Sequence, residues 1–288
     1  MALGLLVPIA LVALAANSVL IRLAVVDHGA DPALFAIVRV AAGAAVLMAL
    51  AGATGRARPR VFTRAHWAGA GMLAGYMAGF SIAYRSLDAG FGALLLFGWV
   101  QITIFAIVVA QGARPALRRW LGAGVAMVGL VWLLWPEGRG FAGAPVDMAL
   151  MSGAGICWGI YTLLGRGQGD PVAVNAANFA LCLPLVLPLL VLAQGGLGPI
   201  ALMLALVSGG VTSGLGYAIW YQVVARIDAT TAGIGQLSVP VIATLGGLVL
   251  IGESPTLRMV LGGALVLGGI GLSLVPPRDR PRAPSIRP

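Results

Sequence analysis

Ten apolar stretches, each long enough to cross a membrane as a helix, follow one another along the chain with short polar connections between them. They lie at 3–26, 32–52, 67–86, 89–110, 118–135, 146–165, 171–193, 199–225, 230–252 and 256–275. A helix needs about 20 predominantly apolar residues to cross the hydrocarbon layer of a bilayer. Proline follows aspartate at two junctions, Asp31-Pro32 and Asp170-Pro171, where it suits the first turn of a helix. The pattern predicts an all-α integral membrane protein with ten transmembrane helices.

Composition supports this interpretation, because 60% of the 288 residues are hydrophobic and only 9% are charged. Soluble domains are about a quarter charged. The 42 glycines suit helices packed in lipid, where small residues let backbones approach closely. Cys157 and Cys182 lie inside apolar stretches without the spacing of a metal site, and are expected to be packing residues. The first stretch is too long for a signal peptide and is expected to stay in the protein.

The distribution of charge predicts the orientation of the helices. If the N-terminus is cytoplasmic, thirteen of the eighteen arginines fall on the cytoplasmic side: Arg56, Arg58, Arg60, Arg64, Arg114, Arg118, Arg119, Arg166, Arg226, Arg278, Arg280, Arg282 and Arg287. The opposite side then carries three arginines and six carboxylates: Arg85, Arg139, Arg258, Asp27, Asp31, Asp88, Glu137, Asp147 and Glu253. Cytoplasmic loops are enriched in basic residues, so both termini are predicted to be cytoplasmic. The missing lysines and the heavy use of Ala, Gly and Arg indicate a GC-rich bacterium, so a bacterial inner membrane is expected. Because no basic face is interleaved with aromatic residues, the net charge of +9 does not indicate nucleic-acid binding.

The chain also contains an internal repeat. A displacement of 140 positions aligns Pro115 with Pro255, Leu121-Gly122 with Leu261-Gly262, and Gly129 with Gly269. Residues 1–138 and 144–277 are therefore predicted to be two five-helix repeats, followed by a basic cytoplasmic tail at 278–288. Because five is odd, the repeats have opposite orientations in the membrane, which favours alternating access around a central site. The alternative is a duplication retained only because it packs well.

Several short motifs carry a resemblance to a known family. In chain order they are Arg39 in the second stretch, Trp158-Gly159 in the sixth, Arg226-Ile-Asp-Ala-Thr-Thr-Ala with Pro240 after it, and Gly252-Glu253 before the last stretch. With its ten spans in two inverted halves, the chain resembles the drug/metabolite transporter superfamily, and within it the EamA-like exporters. It is most similar to exporters of aromatic and other neutral amino acids. Such families often have Trp-Gly where the first half has Ala15-Ala16-Asn17-Ser18, which makes a cavity role for that segment less certain.

The resemblance implies export of small amphipathic metabolites by alternating access, without ATP. Aromatic and other neutral amino acids lead as substrates, and drugs, other metabolites or a membrane channel are the alternatives. The expected partners are a small-molecule substrate and the lipid bilayer, with no nucleic acid; the oligomeric state is left open, with a monomer as one possibility.

Polar and aromatic residues near the middle of the spans are candidates for a substrate-binding cavity. By residue count they are Tyr76, Trp99, Gln101, Trp158, Tyr161, Gln236 and Ser238. Aromatic faces with scattered amides suit a small amphipathic molecule. A second group of aromatic residues is better explained as the belt at the membrane interfaces: Trp67, Trp120, Trp132, Trp135 and Trp220. Pro240 is expected to kink the ninth helix and to free a carbonyl group that lines the cavity.

Arg22 and Arg39 lie within apolar stretches, where a charge is costly. Arg22 is near a helix end and can reach the interface, whereas Arg39 is about two turns below the external end of its helix. Its guanidinium is expected either to bind a substrate carboxylate or to tie helices together through a nearby carboxylate. The carboxylates considered are Asp27, Asp31 and Asp88. A displacement of 139 places Asn178 opposite Arg39 in the second repeat, which suits a polar contact between helices or a polar position near the pathway.

No Asp, Glu or His lies in the middle of a predicted span. Proton-coupled carriers commonly use such buried titrating groups, so we expect facilitated movement down a gradient. The chain has no lysine, which argues against phosphorylated substrates. It also has no convergent catalytic set and no nucleotide-binding glycine loop, so neither an enzyme nor an ATP-driven pump is expected. No cofactor or metal is expected.

Overall fold

The computed structural model of the chain describes residues 2–55, 63–87, 89–135, 145–251 and 256–274. Over these ranges the chain is helical and contains no strand, so the predicted all-α fold is confirmed for them. Seven helices within these ranges are long and apolar enough to cross a membrane, as expected of an integral membrane protein. The count of ten crossings, the inverted repeat and the position of the termini stay predictions. Asp88, Gly252-Glu253 and the tail at 278–288 lie outside the described residues.

The helices of the first half coincide with the first five apolar stretches to within a few residues. They are α1 (Leu3–Arg22), which continues as a π-helical turn (Leu23–Asp27), then α2 (Pro32–Ala53), α3 (Arg64–Ala83), α4 (Ala89–Ala110) and α5 (Leu117–Leu134). Asp31 caps α2, because its Oδ1 accepts hydrogen bonds from the backbone N–H groups of Ala33 (2.9 Å) and Leu34 (3.0 Å).

The second half contains more helical segments than the apolar pattern predicts. They are α6 (Pro145–Leu164), α7 (Pro171–Val186) with a 3₁₀ extension (Leu187–Leu192), α8 (Pro199–Val207), a π-helical segment (Ser208–Leu215), α9 (Gly216–Val224), α10 (Ala229–Gln236), α11 (Ser238–Ile251) and α12 (Leu257–Leu274). The helix that runs from Pro199 to Val224 is continuous, with the π segment in its middle.

The ninth apolar stretch is divided at Leu237, between α10 and α11. Pro240 has no N–H group and therefore cannot donate a hydrogen bond to the carbonyl group of Gln236, one turn earlier. This missing hydrogen bond explains why the regular helix is interrupted three residues before the proline.

Contacts of α1 and α6 join the two halves of the chain. Helix α1 contacts α9, α11 and the π segment, and α6 contacts α3 and α4. Helix α2 packs between α7 and the π segment, while α5 and α12 form a closely packed pair. The helices that enclose the candidate site, namely α2, α3, α6, α7 and α9, come from both halves of the chain.

The α5–α12 contact is made by glycines. A methyl group on Gly122 would lie 2.6 Å from the carbonyl oxygen of Gly269, and one on Gly129 would lie 3.0 Å from that of Gly262. These glycines therefore allow the two backbones to approach more closely than any larger residue would permit.

Several polar contacts join the two halves near the helix ends in the part of the chain that the structure describes. Arg119, at the start of α5, binds both carboxylate oxygens of Asp228, at the start of α10, at 2.5 and 3.2 Å. Near the end of α3, Arg85 Nη2 lies 3.4 Å from Asp147 Oδ1 in the first turn of α6. Asp31 Oδ2 accepts hydrogen bonds from backbone N–H groups at 194 and 195, at 2.8 and 3.0 Å.

Candidate functional site

Arg39 lies in α2 with its side chain fully buried. Its Nε donates a hydrogen bond to Ser213 Oγ (2.9 Å), and its Nη2 donates to Tyr217 Oη (2.8 Å) and, at a longer distance, to Tyr76 Oη (3.4 Å). Its Nη1 has no hydrogen-bond partner. The side chain thus connects α2 to α3, the π segment and α9 through hydroxyl groups rather than through carboxylates.

Neither Asp27 nor Asp31 forms an ion pair with Arg39, and Asp88 lies outside the described residues. The expected contact between Arg39 and Asp31 is therefore wrong, because the Asp31 carboxylate accepts hydrogen bonds from backbone N–H groups at the start of α2 and at 194 and 195. Burial raises the pKa of the Asp31 carboxyl group, but the hydrogen bonds that it accepts from four backbone N–H groups lower the pKa by more, to below its ordinary value.

Four aromatic residues, Tyr76, Trp158, Tyr161 and Tyr217, form what we call the aromatic cluster. The Trp158 ring lies 4.9 Å from the Tyr76 ring, 5.6 Å from the Tyr161 ring and 4.6 Å from the Tyr217 ring, measured between centroids. The guanidinium carbon of Arg39 lies 5.6 Å from the centroid of Tyr76, within the range of a cation–π contact. The aromatic cluster and the cation therefore form one site.

Amide side chains border the aromatic cluster. Trp158 Nε1 donates to Gln236 Oε1 (2.5 Å), beside the break between α10 and α11. Tyr161 Oη donates to Asn175 Oδ1 (2.8 Å), and Asn178 Nδ2 lies 3.5 Å from Tyr161 Oη. Asn178 Oδ1 is buried without a partner. The position that the repeat pairs with Arg39 thus contributes an acceptor on the other side of the aromatic cluster.

The π segment determines how Arg39 is held. Asn17 Oδ1 accepts hydrogen bonds from the hydroxyl groups of Ser208 (2.9 Å), Thr212 (2.7 Å) and Ser213 (3.0 Å). Hydrogen bonds from residue i to i+5 bring residues five apart nearly above one another, so Ser208 and Ser213 can face the same amide. Asn17 therefore anchors Ser213, which in turn anchors Arg39 Nε.

Among the described residues, three of the predicted cavity residues form no hydrogen bond or ring contact with the aromatic cluster. Trp99 is 38% exposed and has no ring contact with the cluster. Gln101 is buried near Gly233, and neither atom of its amide has a partner. Ser238 donates to the Gly235 carbonyl (2.7 Å). The structure thus brings Tyr76, Trp158, Tyr161 and Gln236 together with Arg39 and Asn178, and substrate binding by any of these residues stays a prediction.

Sequence reasoning did not select Tyr217 or Ser213 as site residues, although both bind Arg39. A displacement of 141 positions aligns Tyr76 with Tyr217, and these two hydroxyl groups lie 3.3 Å apart in the structure. A displacement one position longer than that of the predicted 140-residue repeat would therefore have pointed to Tyr217. No comparable signal exists for Ser213, whose role depends on the π segment.

The tryptophans expected in the interfacial belt differ in their surroundings. Trp67, Trp120, Trp132 and Trp135 are exposed on the surface of the protein. Trp220 is only 1% exposed and donates to Thr162 Oγ1 at 3.3 Å, so the expectation of an interfacial position is wrong for this residue. Position along the helix, counted in residues, does not show that the face of α9 that carries Trp220 points into the protein.

Comparison with known proteins places the chain among transporters. Residues 147–275 match the EamA-like transporter family. The uncharacterized protein PA1977 of Pseudomonas aeruginosa is 43% identical over 275 residues, which cover 94% of each chain. The threonine/homoserine exporter RhtA of Escherichia coli is 28% identical over 182 residues, covering 59% of this chain and 58% of RhtA.

A solved crystal structure shares the fold, with a TM-score of 0.78 over 93% of this chain and 97% of the other, at 22% sequence identity. An uncharacterized transporter of Archaeoglobus fulgidus is 30% identical over 164 residues, covering 54% of this chain and 57% of that protein. The relatives with a stated activity are transporters rather than enzymes. Over residues 147–275 the chain therefore belongs to the EamA-like transporter family.

Proposed function

We propose that the protein exports small amphipathic metabolites, foremost neutral amino acids including aromatic ones, across the bacterial inner membrane by alternating access without ATP. The observation that carries this proposal is the aromatic cluster beside Arg39, buried where helices of both halves meet. Aromatic surfaces accept an apolar side chain, while the guanidinium and the nearby amides satisfy a polar end.

The likeness to RhtA supports neutral amino acids as the substrate class. RhtA is named for the export of threonine and homoserine, which are small, uncharged in their side chains and zwitterionic. The aromatic rings of this site provide apolar surface for larger side chains as well. We therefore place threonine-like and aromatic amino acids in one substrate range.

Alternating access is supported by the contacts between the halves. If α1, α2, α3, α4 and α5 correspond to α6, α7, α8–α9, α10–α11 and α12, the contacts of α1 with α9 and α11 correspond to those of α6 with α3 and α4. The α5–α12 glycines follow the same rule. A displacement of 140 converts the Gly122–Gly269 contact into the Gly262–Gly129 contact. Such two-fold related contacts are expected when two inverted repeats exchange equivalent conformations.

The proposal is tested with the full chain reconstituted in liposomes, by measuring counterflow of radiolabelled threonine, phenylalanine, tryptophan and methionine. Saturable counterflow that exceeds that of protein-free liposomes is the expected result. Because saturable counterflow requires a carrier, linear, non-saturating flux would indicate a channel instead. If folded protein moves none of these amino acids, the amino acid assignment is wrong, and the substrates lie among other metabolites or drugs.

The same liposomes test the absence of proton coupling. We expect the rate to be unchanged by an imposed pH gradient, because the described spans contain no mid-span carboxylate or histidine to carry a proton. Accumulation of substrate driven by a proton gradient would contradict facilitated transport while leaving the substrate assignment intact.

A further inference from the structure

The side chain of Arg39 is a buried cation with unused hydrogen-bonding capacity. A guanidinium has five N–H donors. Here Nε and Nη2 bond to hydroxyl groups, whereas Nη1 is buried without any partner. A buried charged group that lacks hydrogen bonds is destabilising, so an unpaired Nη1 in an otherwise well-packed site indicates a position kept for another molecule.

The protein itself does not neutralise this charge. The described ion pairs join Arg85 to Asp147 and Arg119 to Asp228, and neither involves Arg39. The groups that bind Arg39 are the uncharged hydroxyls of a serine and two tyrosines. Buried charges in proteins are normally paired, so the chemistry of the site calls for an anion.

The geometry suits a carboxylate. A carboxylate can accept hydrogen bonds from both hydrogen atoms of Nη1, or it can bind end-on across Nη1 and Nη2 as a bidentate pair. In the end-on arrangement the carboxylate would replace the Tyr76 hydroxyl, which is 3.4 Å from Nη2. The shorter bonds to Ser213 and Tyr217 can remain and hold the guanidinium in place.

The surroundings of the guanidinium also have the right chemical character for the rest of such a molecule. Phe80 and Tyr76 lie 5.5 and 5.6 Å from the guanidinium carbon, and Trp158 packs on Tyr76. Asn178 Oδ1, on the other side of the aromatic cluster, is an acceptor without a donor and suits an ammonium group. A cationic drug has no group that would neutralise Arg39.

We infer that Arg39 binds the carboxylate of the transported molecule, so the substrates are carboxylates, either zwitterionic amino acids or monocarboxylates, and cationic amphiphiles are excluded. This inference rests on the proposed transport function for the identity of the bound molecule as the substrate. Ser213 acts as a positioning residue that orients Arg39, and Asn17 acts through Ser213.

The test compares ligands that differ only at the carboxylate, in binding measurements on the full chain in detergent micelles. The pairs are phenylalanine with phenylalaninamide, threonine with threoninamide, and benzoate with benzamide. We expect at least one acid to bind about tenfold or more tightly than its amide, as is typical when a charge-assisted hydrogen bond is lost. Arg39→Gln is expected to weaken binding of the acid to the level of the amide and to leave binding of the amide unchanged.

Arg22→Gln is the matched control, because Arg22 is an exposed arginine at the end of α1. It is expected to keep the acid-to-amide ratio of the unchanged protein. Ser213→Ala removes the hydrogen bond to Arg39 Nε together with the one to Asn17, and is expected to reduce that ratio several-fold, whereas Ser152→Ala in α6 is expected to preserve it. If Arg39→Gln does not fold, the comparison of acids with amides in the unchanged protein and in Ser213→Ala still decides the question.

Equal binding of acids and amides by the unchanged protein would overturn the inference, as would an Arg39→Gln variant that keeps the preference for acids. Saturable binding of chloride that depends on Arg39, with no binding of any organic carboxylate, would show that the site takes an inorganic anion. This result would also overturn the inference. Transport is measured separately. Carboxylate binding that depends on Arg39, without transport of any amino acid, would leave the carboxylate site intact and refute only the proposed substrate.

Discussion

Trp158 is the residue that joins the parts of the site. Its ring contacts three tyrosines and its N–H group binds Gln236. In Trp158→Ala, we expect loss of specific amino acid binding and a lower Tm, because removing a buried indole costs on the order of 3 kcal/mol. Trp158→Phe keeps an aromatic ring and loses the N–H donor, so binding should be weakened less. Equilibrium binding of radiolabelled phenylalanine and thermal unfolding in detergent measure both effects.

Trp132→Ala is the control for that series, since Trp132 is exposed on α5 away from the aromatic cluster. Binding by this variant should match that of the unchanged protein. A similar loss in Trp132→Ala and Trp158→Ala would show that tryptophan removal acts through general damage to the fold.

Gly209 is a position at which any side chain should be destabilising. A methyl group there would overlap the carbonyl oxygen of Arg39 and would lie 2.7 Å from the side chain of Ala42. Gly209→Ala must therefore push the π segment away from α2, and we expect a markedly lower Tm together with weaker amino acid binding. Gly71→Ala in α3 has open space around it and should leave the Tm unchanged or slightly higher, because alanine favours the helix. Thermal unfolding of the two variants measures the difference. Equal decreases in Tm would refute overlap with α2 as the cause.

Part of the candidate site could be predicted from depth in the membrane alone. Arg39, Tyr76, Trp158 and Tyr161 were selected because they lie far from the helix ends, and the structure brings them together. Depth cannot tell which face of a helix points inward, since that depends on neighbouring helices. For this reason depth predicts a cavity position for Trp99, which lies at the surface of the protein, and does not distinguish Tyr217, which is fully buried.

At the scale of helical elements, the break at Leu237 determines where Gln236 presents its amide to Trp158. Pro240→Ala would restore an N–H donor to the Gln236 carbonyl group, so we expect a continuous α10–α11 helix and an equal or higher Tm. We also expect slower transport, because the Trp158–Gln236 contact would shift. Counterflow and thermal unfolding measure these two effects.

Pro8→Ala is the control, because Pro8 lies inside α1 without an interruption of the helix. It should leave transport unchanged. If Pro240→Ala transports at the normal rate, the break is not required for the cycle.

The extents of the helices were predictable because length and hydropathy depend on local sequence. The internal structure of the 199–225 and 230–252 stretches was less so. The proline suggested a kink in the second of these, but nothing local indicates a π segment in the first. That segment is accompanied by the contacts of its hydroxyl groups with Asn17, almost 200 residues earlier in the chain.

At the scale of the whole molecule, the Arg119–Asp228 ion pair joins the halves at one end. Burial raises the pKa of Asp228, but hydrogen bonds from Thr231 and the guanidinium of Arg119 lower the pKa by more, to about 2. The contribution of this contact is therefore complete above the ordinary pKa of 3.8 and is lost only as the pH falls through about 2. We expect the contact to have the same effect on transport at about pH 5 and about pH 8.

Arg119→Gln should loosen that end of the molecule. We make this variant in a Cys157→Ser background, so that Cys182 in α7 is the thiol that reacts. We expect the buried Cys182 thiol to react faster with a small maleimide, because a conformation open at the Arg119–Asp228 end is populated more often. Arg166→Gln, which removes a hydrogen bond to the Ile227 carbonyl within the second half, is the control. Equal acceleration in both variants would mean that the Arg119–Asp228 contact does not hold the halves together.

The placement of Arg39 also has an electrical consequence. A membrane potential acts on any charge that changes its depth, by about 2.3 kcal/mol per elementary charge for each 100 mV crossed in full. If the cycle shifts Arg39 within this field, the empty carrier moves one positive charge. A bound zwitterion adds no net charge, so the charge movements of the loaded and empty steps would cancel and no current would accompany net export. A simple carboxylate neutralises the guanidinium, so only the empty step would respond to voltage, and net export would generate a measurable current. Electrical recording could thus distinguish amino acids from monocarboxylates as substrates without a label on either.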